Sequence, residues 1–178
     1  LLYFRRSDEE PITPENTNKP YGESPVSTAM GAYFNKKAYT DPTLRRKYTR
    51  MGFWVNIRLI RYPDVLLMAA ESANEKGLMG EASGYLEQVR AHARGTLTNV
   101  LPKVESLDQS VLREAIRHER RVELGLEPDR FYDLVRWGIA QEVLQAAGKN
   151  YQPKNALLPL PQTEIDKSNG VLVQNPDY

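Results

Sequence analysis

The sequence predicts a mainly α-helical fold, built from helical hairpins with long irregular loops and only minor β-structure. Two observations support this prediction. From residue 65 to residue 147, apolar residues recur at steps of three and four, and glycines follow the stretches that have this spacing. Residues 1–52 instead lack a sustained period and are interrupted by many prolines and glycines. With 178 residues, the chain is long enough to bury one hydrophobic core, so we expect a single domain.

The N-terminal part of the chain is predicted to consist of loops, with at most one short helix or strand. It is nevertheless rich in tyrosine. These residues are Tyr3, Tyr21, Tyr33, Tyr39 and Tyr48. A short extended segment should follow, because Val55, Ile57 and Leu59 alternate with polar residues. We therefore divide the chain into a loop-rich part (1–54), a helical scaffold (55–148) and a proline-marked tail (149–178).

The first two predicted helices form a hairpin. Pro63 and Asp64 suit the first turn of a helix, because proline needs no hydrogen-bond partner there and a carboxylate favours the positive end of the helix dipole. Gly77 ends this helix and Gly95 ends the second. The second helix carries an apolar stripe at helical spacing. This stripe consists of Ala82, Tyr85, Leu86, Val89 and Ala93.

Small side chains in this hairpin have the spacing of a tetratricopeptide repeat. Ala70 and Ala73 on the first helix and Ala82 on the second would let two antiparallel helices approach closely, which large side chains would prevent. The sequence contains one clear repeat of this kind. Because a solenoid needs about three repeats to be stable, we expect other helical pairs to complete it.

Two longer helices and a short tail helix are predicted next. The third helix runs over residues 109–124, with Asp108 or Ser110 as its N-cap. The fourth spans residues 130–147 and stops at a glycine. In the tail, residues 163–167 favour a short helix, since a threonine can cap it and acidic residues occupy its first turn.

The apolar stripe of the third helix continues into two charged positions. Leu112 and Ile116 define the stripe, and Glu119 and Glu123 follow on the same face. A carboxylate at a buried position is costly unless it is paired and hydrogen-bonded, so the pattern predicts arginine partners. The next helix supplies two candidates, Arg130 and Arg136.

Four segments stand out as motifs. Residues 58–71 read RLIRYPDVLLMAAE, and residues 119–138 contain ERRVEL followed after a short loop by RFYDLVRWG. Residues 157–161 read LLPLP, and residues 174–178 read QNPDY. In this order, the four segments resemble the signature of the SusD/RagB family of glycan-binding outer-membrane lipoproteins. The resemblance extends over residues 58–178.

Two positions depart from the pattern of this family. Asp177 stands where its closing motif has a glycine, and residues 127–129 replace the glutamate and glycine that usually precede the arginine. We assign the charged residues of the central motif to a structural ion-pair scaffold that ties helices together, and not to a ligand. These scaffold residues are Glu119, Glu123, Arg130, Asp133 and Arg136.

The resemblance implies a non-catalytic protein that captures an oligosaccharide or polysaccharide at the outer-membrane surface of a Gram-negative bacterium. Such a protein would deliver the glycan to a TonB-dependent transporter of the SusC type, on which it sits as a lid. The motifs belong to the C-terminal part of the family, so a signal peptide and a lipid-bearing cysteine are expected upstream. The lipid would supply the membrane association, and no cofactor is implied.

Aromatic residues of the loop-rich part are the candidates for glycan contact. Sugar rings stack their apolar C–H faces on aromatic side chains, while amides, carboxylates and arginines bind the hydroxyl groups. We name Tyr33, Tyr39 and Trp54 as glycan-binding candidates, each weighed against simple packing under a loop. Trp137, which follows Arg136 in the central motif, is interpreted as a packing residue instead.

Composition and missing motifs disfavour other classes of function. The net charge is +1 with acidic and basic residues interleaved, which argues against a nucleic-acid surface. Cysteine is absent, so the chain has no disulfide, thiolate zinc site or cysteine nucleophile. His92 and His118 lack the spacing of a metal-ligand pair, and we predict no metal site. No stretch approaches the roughly 20 apolar residues of a membrane-spanning helix.

Two alternative functions remain. A tetratricopeptide-type adaptor would bind a peptide or protein in a groove lined by asparagine and basic residues. A glycoside hydrolase would place two carboxylates beside a glycosidic bond, and Glu119 and Glu123 lie one helical turn apart. Arginine neighbours argue against catalysis, because they favour an ionised carboxylate whereas a general acid must be protonated. The chain also lacks a glycine-rich phosphate loop and the G-x-S-x-G and H-E-x-x-H motifs.

Overall fold

The computed structural model describes residues 58–178 and residue 37, together with the backbone of residues 2–3 and 34–35. The described part is mainly helical with minor β-structure, which confirms the predicted fold class. The helices are α1 (Tyr62–Glu75), α2 (Met79–Arg94), α3 (Gln109–Glu123), α4 (Asp129–Arg136), α5 (Ala140–Ala146) and α6 (Gln162–Lys167), with a 3₁₀ turn at Pro153–Ala156. Two short antiparallel strands are β1 (Leu2–Tyr3) and β2 (Phe34–Asn35), with Leu2 opposite Asn35 and Tyr3 opposite Phe34.

The chain forms two compact units, Leu1–Leu126 and Glu127–Tyr178. The first unit contains β1, β2 and α1–α3, and the second contains α4–α6 and the 3₁₀ turn. The boundary between them lies between α3 and α4.

In the first unit, α1 and α2 form the predicted hairpin. Gly77, at φ +76°, ends α1 in a Schellman motif, in which its N–H binds the Asn74 carbonyl and the next N–H binds the Ala73 carbonyl. The short side chains of Ala70 and Ala82 are fully buried where the two helices pack. Their size allows the close approach that the repeat-like spacing predicted.

The core of the first unit lies among α1, α2 and α3. Its buried apolar side chains are Leu66, Leu67, Ala70, Ala73, Ala82, Leu86, Val89, Leu112 and Ile116. The predicted stripe of α2 is therefore buried at Ala82, Leu86 and Val89, with Tyr85 packed at its edge. Ala93 is exposed, since it lies in the last turn of α2 beyond these core residues.

Polar side chains fix the start of α3. Asp108 is the N-cap, and its carboxylate accepts hydrogen bonds from the backbone N–H groups of Ser110 and Val111 at 2.9 and 3.0 Å. The Ser110 hydroxyl, followed by the Val111 N–H, lowers the pKa of the Asp108 carboxyl. Asn74 and Gln109 also exchange bonds, because each side-chain amide donates to the other's backbone carbonyl, at 3.0 and 2.7 Å. The end of α1 is thereby joined to the start of α3.

Two arginines of α2 hold the connection between α2 and α3. Arg90 donates to the Pro102 carbonyl at 2.9 Å, and Arg94 donates to the Leu101 carbonyl at 2.7 Å. Arg94 is itself paired with Glu87 on the same helix at 2.9 Å. Backbone carbonyls that lack partners in a helix or sheet are thus bound by fixed guanidinium groups.

In the second unit, the prediction of a single helix over residues 130–147 is wrong, because the structure has two helices there, α4 and α5. Gly138, at φ +71°, separates α4 from α5, with its N–H bound to the Val135 carbonyl and the Ile139 N–H bound to the Leu134 carbonyl. This is a second Schellman motif. The apolar pattern continues across Gly138, so periodicity alone did not reveal the break. The core of this unit is formed by Leu134, Ala140 and Tyr151.

Candidate functional site

The two glutamates of the α3 stripe are both paired with arginines. Glu119 accepts a hydrogen bond from Arg90 Nη1 at 2.6 Å, and its side chain is 4% exposed. Glu123 accepts from Arg61 Nη1 at 2.9 Å, and its side chain is 18% exposed. A guanidinium beside each carboxylate offsets the cost of removing its charge from water. This geometry suits residues that join helices.

The arginine partners of both glutamates lie in the first unit. Glu119 binds Arg90 of α2, and Glu123 binds Arg61, which lies just before α1. Arg90 lies four residues after the buried Leu86 on α2, and Glu119 lies three residues after the buried Ile116 on α3. The sequence therefore contained a signal for this pairing, because a charged residue, Arg90, continues the buried stripe of α2.

A more deeply buried ion pair was missed. Asp64 of α1 accepts from Arg120 Nη1 of α3 at 2.9 Å, and both side chains are buried. The sequence predicted a role for Asp64 only at the positive end of the helix dipole. The signal was again the spacing, because Asp64 lies three residues before the fully buried Leu67.

The C-terminal end of α3 binds cationic side chains through its backbone. The Glu123 carbonyl accepts from Arg61 Nη2 at 3.0 Å and from Lys37 Nζ. The last carbonyls of a helix have no partners within the helix and carry the negative end of its dipole, so cations are favoured there. Arg61 therefore binds Glu123 through both its carboxylate and its carbonyl.

The charged residues of α4 surround Trp137. Arg136 donates to the Asp133 carboxylate at about one turn's separation, with Nη2 at 2.9 Å. The guanidinium groups of Arg136 and Arg130 lie 4.9 and 6.0 Å from the centroid of the Trp137 ring, as in cation–π contacts. The Trp137 ring is only partly exposed. These contacts agree with the interpretation of Trp137 as a packing residue.

The three glycan-binding candidates, Tyr33, Tyr39 and Trp54, lie outside the described residues. They remain predictions from the sequence.

Within residues 58–178, no three or more His, Cys, Asp or Glu side chains are grouped so that they could hold a metal ion. No helix in the described part is long and apolar enough to span a membrane.

Comparison with known proteins decides the family. A model of the SusD family matches residues 8–156, which is most of the chain. The chain belongs to the SusD family.

Individual SusD-family proteins match over long stretches. The chain is 39% identical to SusD-like protein P25 of Formosa agariphila over 153 residues, which cover 82% of this chain and 27% of the relative. SusD-like protein P2 of the same organism is 36% identical over 127 residues, covering 67% of this chain and 25% of the relative. The chain therefore spans about a quarter of the length of these curated relatives.

A solved SusD structure also resembles the chain. A crystal structure of a SusD homolog from Bacteroides thetaiotaomicron superposes with a TM-score of 0.62 at 29% sequence identity. The superposition covers 75% of this chain and 30% of that chain. The helical fold is thus shared with a SusD-family protein.

Two SusD-like motif segments bind each other in this chain. Arg61 and Asp64 belong to the segment 58–71, and their partners Glu123 and Arg120 belong to the segment 119–138. The two motifs therefore meet where Arg61 and α1 lie against α3.

Proposed function

We propose that this SusD-family chain provides the helical scaffold of a non-catalytic glycan-binding protein at the outer-membrane surface. The complete protein would be attached by a lipid upstream of these residues and would deliver an oligosaccharide or polysaccharide to a SusC-like TonB-dependent transporter. The observation that carries this proposal is the family match over residues 8–156. The order of the four motifs along residues 58–178 supports it.

The enclosure of Glu119 supports a non-catalytic role. A glycosidase needs two carboxyl groups that reach the same glycosidic bond. Glu119 is 4% exposed and bonded to Arg90, so a glycan could reach its carboxylate only after α2 and α3 had separated. Glu123 is likewise engaged by Arg61.

We assign glycan contact to the aromatic side chains of the loop-rich part. Tyr33, Tyr39 and Trp54 offer ring faces for the apolar side of a sugar, and Trp54 offers the largest one. The charged residues of α3 and α4 are assigned to the scaffold, since their contacts are with other protein groups.

The test is affinity electrophoresis of the folded chain through gels that contain plant, host or microbial polysaccharides. We expect one class of glycan to retard the chain, and we expect Trp54→Ala to lower the apparent affinity about fivefold or more. Stacking of a nucleic-acid base on an aromatic ring, taken as a guide for a sugar, is typically worth about 1–3 kcal/mol. Tyr132→Ala is the matched control, because Tyr132 is an exposed aromatic residue on α4. Equal losses in both variants would contradict the assignment to the loop-rich part.

Catalysis is tested separately by incubating the retarding glycan with the chain and assaying new reducing ends. We expect none. Sugar release that Glu119→Gln abolishes would contradict the non-catalytic proposal and the scaffold role of Glu119 together.

A second candidate is a tetratricopeptide-type adaptor. The outward face of α1 exposes the apolar side chains of Tyr62, Val65 and Met68, which would suit a helical peptide in a groove. A folded chain that no polysaccharide retards would favour this alternative over glycan capture.

A further inference from the structure

Residues 174–178 lie along the segment 154–160 and bind it. The Gln174 side chain makes two bonds to Leu160, because its Oε1 accepts from the Leu160 N–H at 2.8 Å and its Nε2 donates to the Leu160 carbonyl at 2.9 Å. A neighbouring β-strand would bind one residue through the same pair of backbone bonds. The Gln174 carboxamide thus takes the place of a strand.

Two more side chains continue this pattern along the segment. Asn175 Nδ2 donates to the Leu158 carbonyl at 2.6 Å. The Tyr178 hydroxyl donates to the Leu157 carbonyl at 2.9 Å. Carbonyls of the 157–160 backbone are therefore bound by side chains of residues 174–178, in antiparallel order.

The backbone of residues 174–178 is shaped to allow these contacts. Asp177 has φ +67°, which turns the chain so that Tyr178 comes back to the 3₁₀ turn. Lys154 in that turn donates to the Asp177 carbonyl at 2.9 Å, and its ammonium group lies 4.9 Å from the centroid of the Tyr178 ring. Cation–π and hydrogen-bond contacts thus hold both residues.

We propose that residues 154–160 form a peptide-recognition site whose ligand is a Gln-Asn-Pro-x-Tyr sequence, and that the chain's own residues 174–178, the latch, occupy it. Selectivity comes from the Gln174 carboxamide, which both accepts and donates, whereas a carboxylate only accepts and would face the Leu160 carbonyl with a negative charge. The occupied site closes a backbone edge that could otherwise pair with an extended chain, beside the exposed Leu158 and Val173.

The first test is amide hydrogen exchange in the full chain. Gln174→Glu should speed exchange at the Leu160 amide about tenfold, because one net hydrogen bond is lost and a repulsion is added. Gln141→Glu is the matched control, since Gln141 is exposed on α5 and should leave exchange at Leu160 unchanged. Unchanged exchange in a folded Gln174→Glu chain would overturn the proposal.

The second test asks whether the site recognises the sequence in trans. The triple variant Gln174→Ala, Asn175→Ala and Tyr178→Ala lacks the three latch side chains, and a synthetic peptide of residues 171–178 should restore its slow exchange at Leu160. The same peptide with glutamate in place of Gln174 should not. Restoration by both peptides, or by neither, would overturn the proposed selectivity.

The third test varies the protein concentration, to show whether the latch comes from the same chain or from a second copy. In the wild-type chain, exchange at Leu160 should not depend on protein concentration, because the structure places both segments in one chain. Slower exchange at higher concentration would overturn this arrangement and assign the site to the latch of a second copy.

Discussion

The two glutamates of α3 differ in how deeply their side chains are buried. The Glu119 carboxylate is almost fully enclosed, whereas water still reaches part of Glu123. Removing one partner of a buried pair leaves the other charge uncompensated, while removing a partly solvated partner does not. The stability of the first unit should therefore depend more strongly on Glu119 than on Glu123.

We expect Glu119→Ala to lower the free energy of unfolding by about 3–5 kcal/mol, since it leaves the Arg90 side chain, which is only 12% exposed, without its carboxylate. Glu123→Ala should cost about 1–2 kcal/mol, because its side chain is 18% exposed. Urea denaturation measures both values. Glu114→Ala on the same helix is the control and should change stability by less than about 0.5 kcal/mol, since Glu114 is 71% exposed. Similar losses for Glu119 and Glu114 would contradict the buried pair.

A second prediction for a single residue concerns how stability depends on pH. The bidentate hydrogen bond from Arg113, at 2.6 and 2.8 Å, lowers the pKa of the Glu75 carboxyl below its ordinary value of 4.5, and slight burial offsets part of this shift. A carboxyl with a lowered pKa in the folded state adds stability above its ordinary pKa, and this stability is lost as the pH falls through the lowered value. Solvent screens the pair because Glu75 is 47% exposed, so its contribution is below about 1 kcal/mol.

Accordingly, Glu75→Gln should destabilise the chain slightly at neutral pH. The difference from wild type should shrink as the pH falls below 4.5 and vanish once the pH is below the lowered pKa. Urea denaturation at several pH values checks this dependence. Glu105→Gln in the connection between α2 and α3 is the control, since the Glu105 side chain is 80% exposed. A difference that grows on acidification would mean that the Glu75 pair does not form in solution.

At the scale of the helices, glycines in the left-handed conformation define where elements end. Gly77, Gly138 and Gly148 all have positive φ and all take part in the paired backbone bonds of Schellman motifs. Gly138 decides whether residues 129–146 form one helix or two. Its role is conformational, because a Cβ atom at this position would meet no other atom within 4 Å.

We expect Gly138→Ala to lower the free energy of unfolding by about 1–2 kcal/mol, since an L-residue pays for the left-handed conformation. Gly84→Ala provides a control of opposite sign. Gly84 lies inside α2 with similar open space, and alanine should stabilise the helix there by about 0.5–1 kcal/mol. Thermal or urea unfolding of the two variants measures both effects. Stabilisation in both would contradict the break between α4 and α5.

Elements whose signals are local were predictable. The ends of α1 and α3 follow from Gly77 and from the carboxylate of Asp108, each of which acts on backbone groups a few residues away. The break at Gly138 was missed because a glycine inside an apolar pattern is also compatible with a continuous helix. The bonds from Gln174 to Leu160 were missed because they join a side chain to a distant backbone, which leaves no periodic trace.

Across the whole molecule, the sequence shows which charged residues are buried but not which residues they form ion pairs with. Spacing shows that Glu119 faces the core, yet the choice among arginines depends on which helix packs beside it. Arg90 and Arg61 are 29 and 62 residues away from their partners. The glycan candidates Tyr33, Tyr39 and Trp54 came from composition and remain predictions. The motifs allowed the family to be inferred, because their order along the chain is visible in the sequence without knowledge of any contact.

The sequence distance between the paired segments has a consequence for kinetics. The α1–α2 hairpin needs only local contacts, whereas Asp64–Arg120 closes a stretch of 56 residues. Closing a long loop costs chain entropy before the contact repays it, so we expect α3 to dock after the rate-limiting step. Interactions that form this late slow unfolding and leave the folding rate nearly unchanged. The ion pairs of α3 would then set how long the folded chain survives, and stopped-flow unfolding of Glu119→Ala should be faster than wild type while its refolding is not.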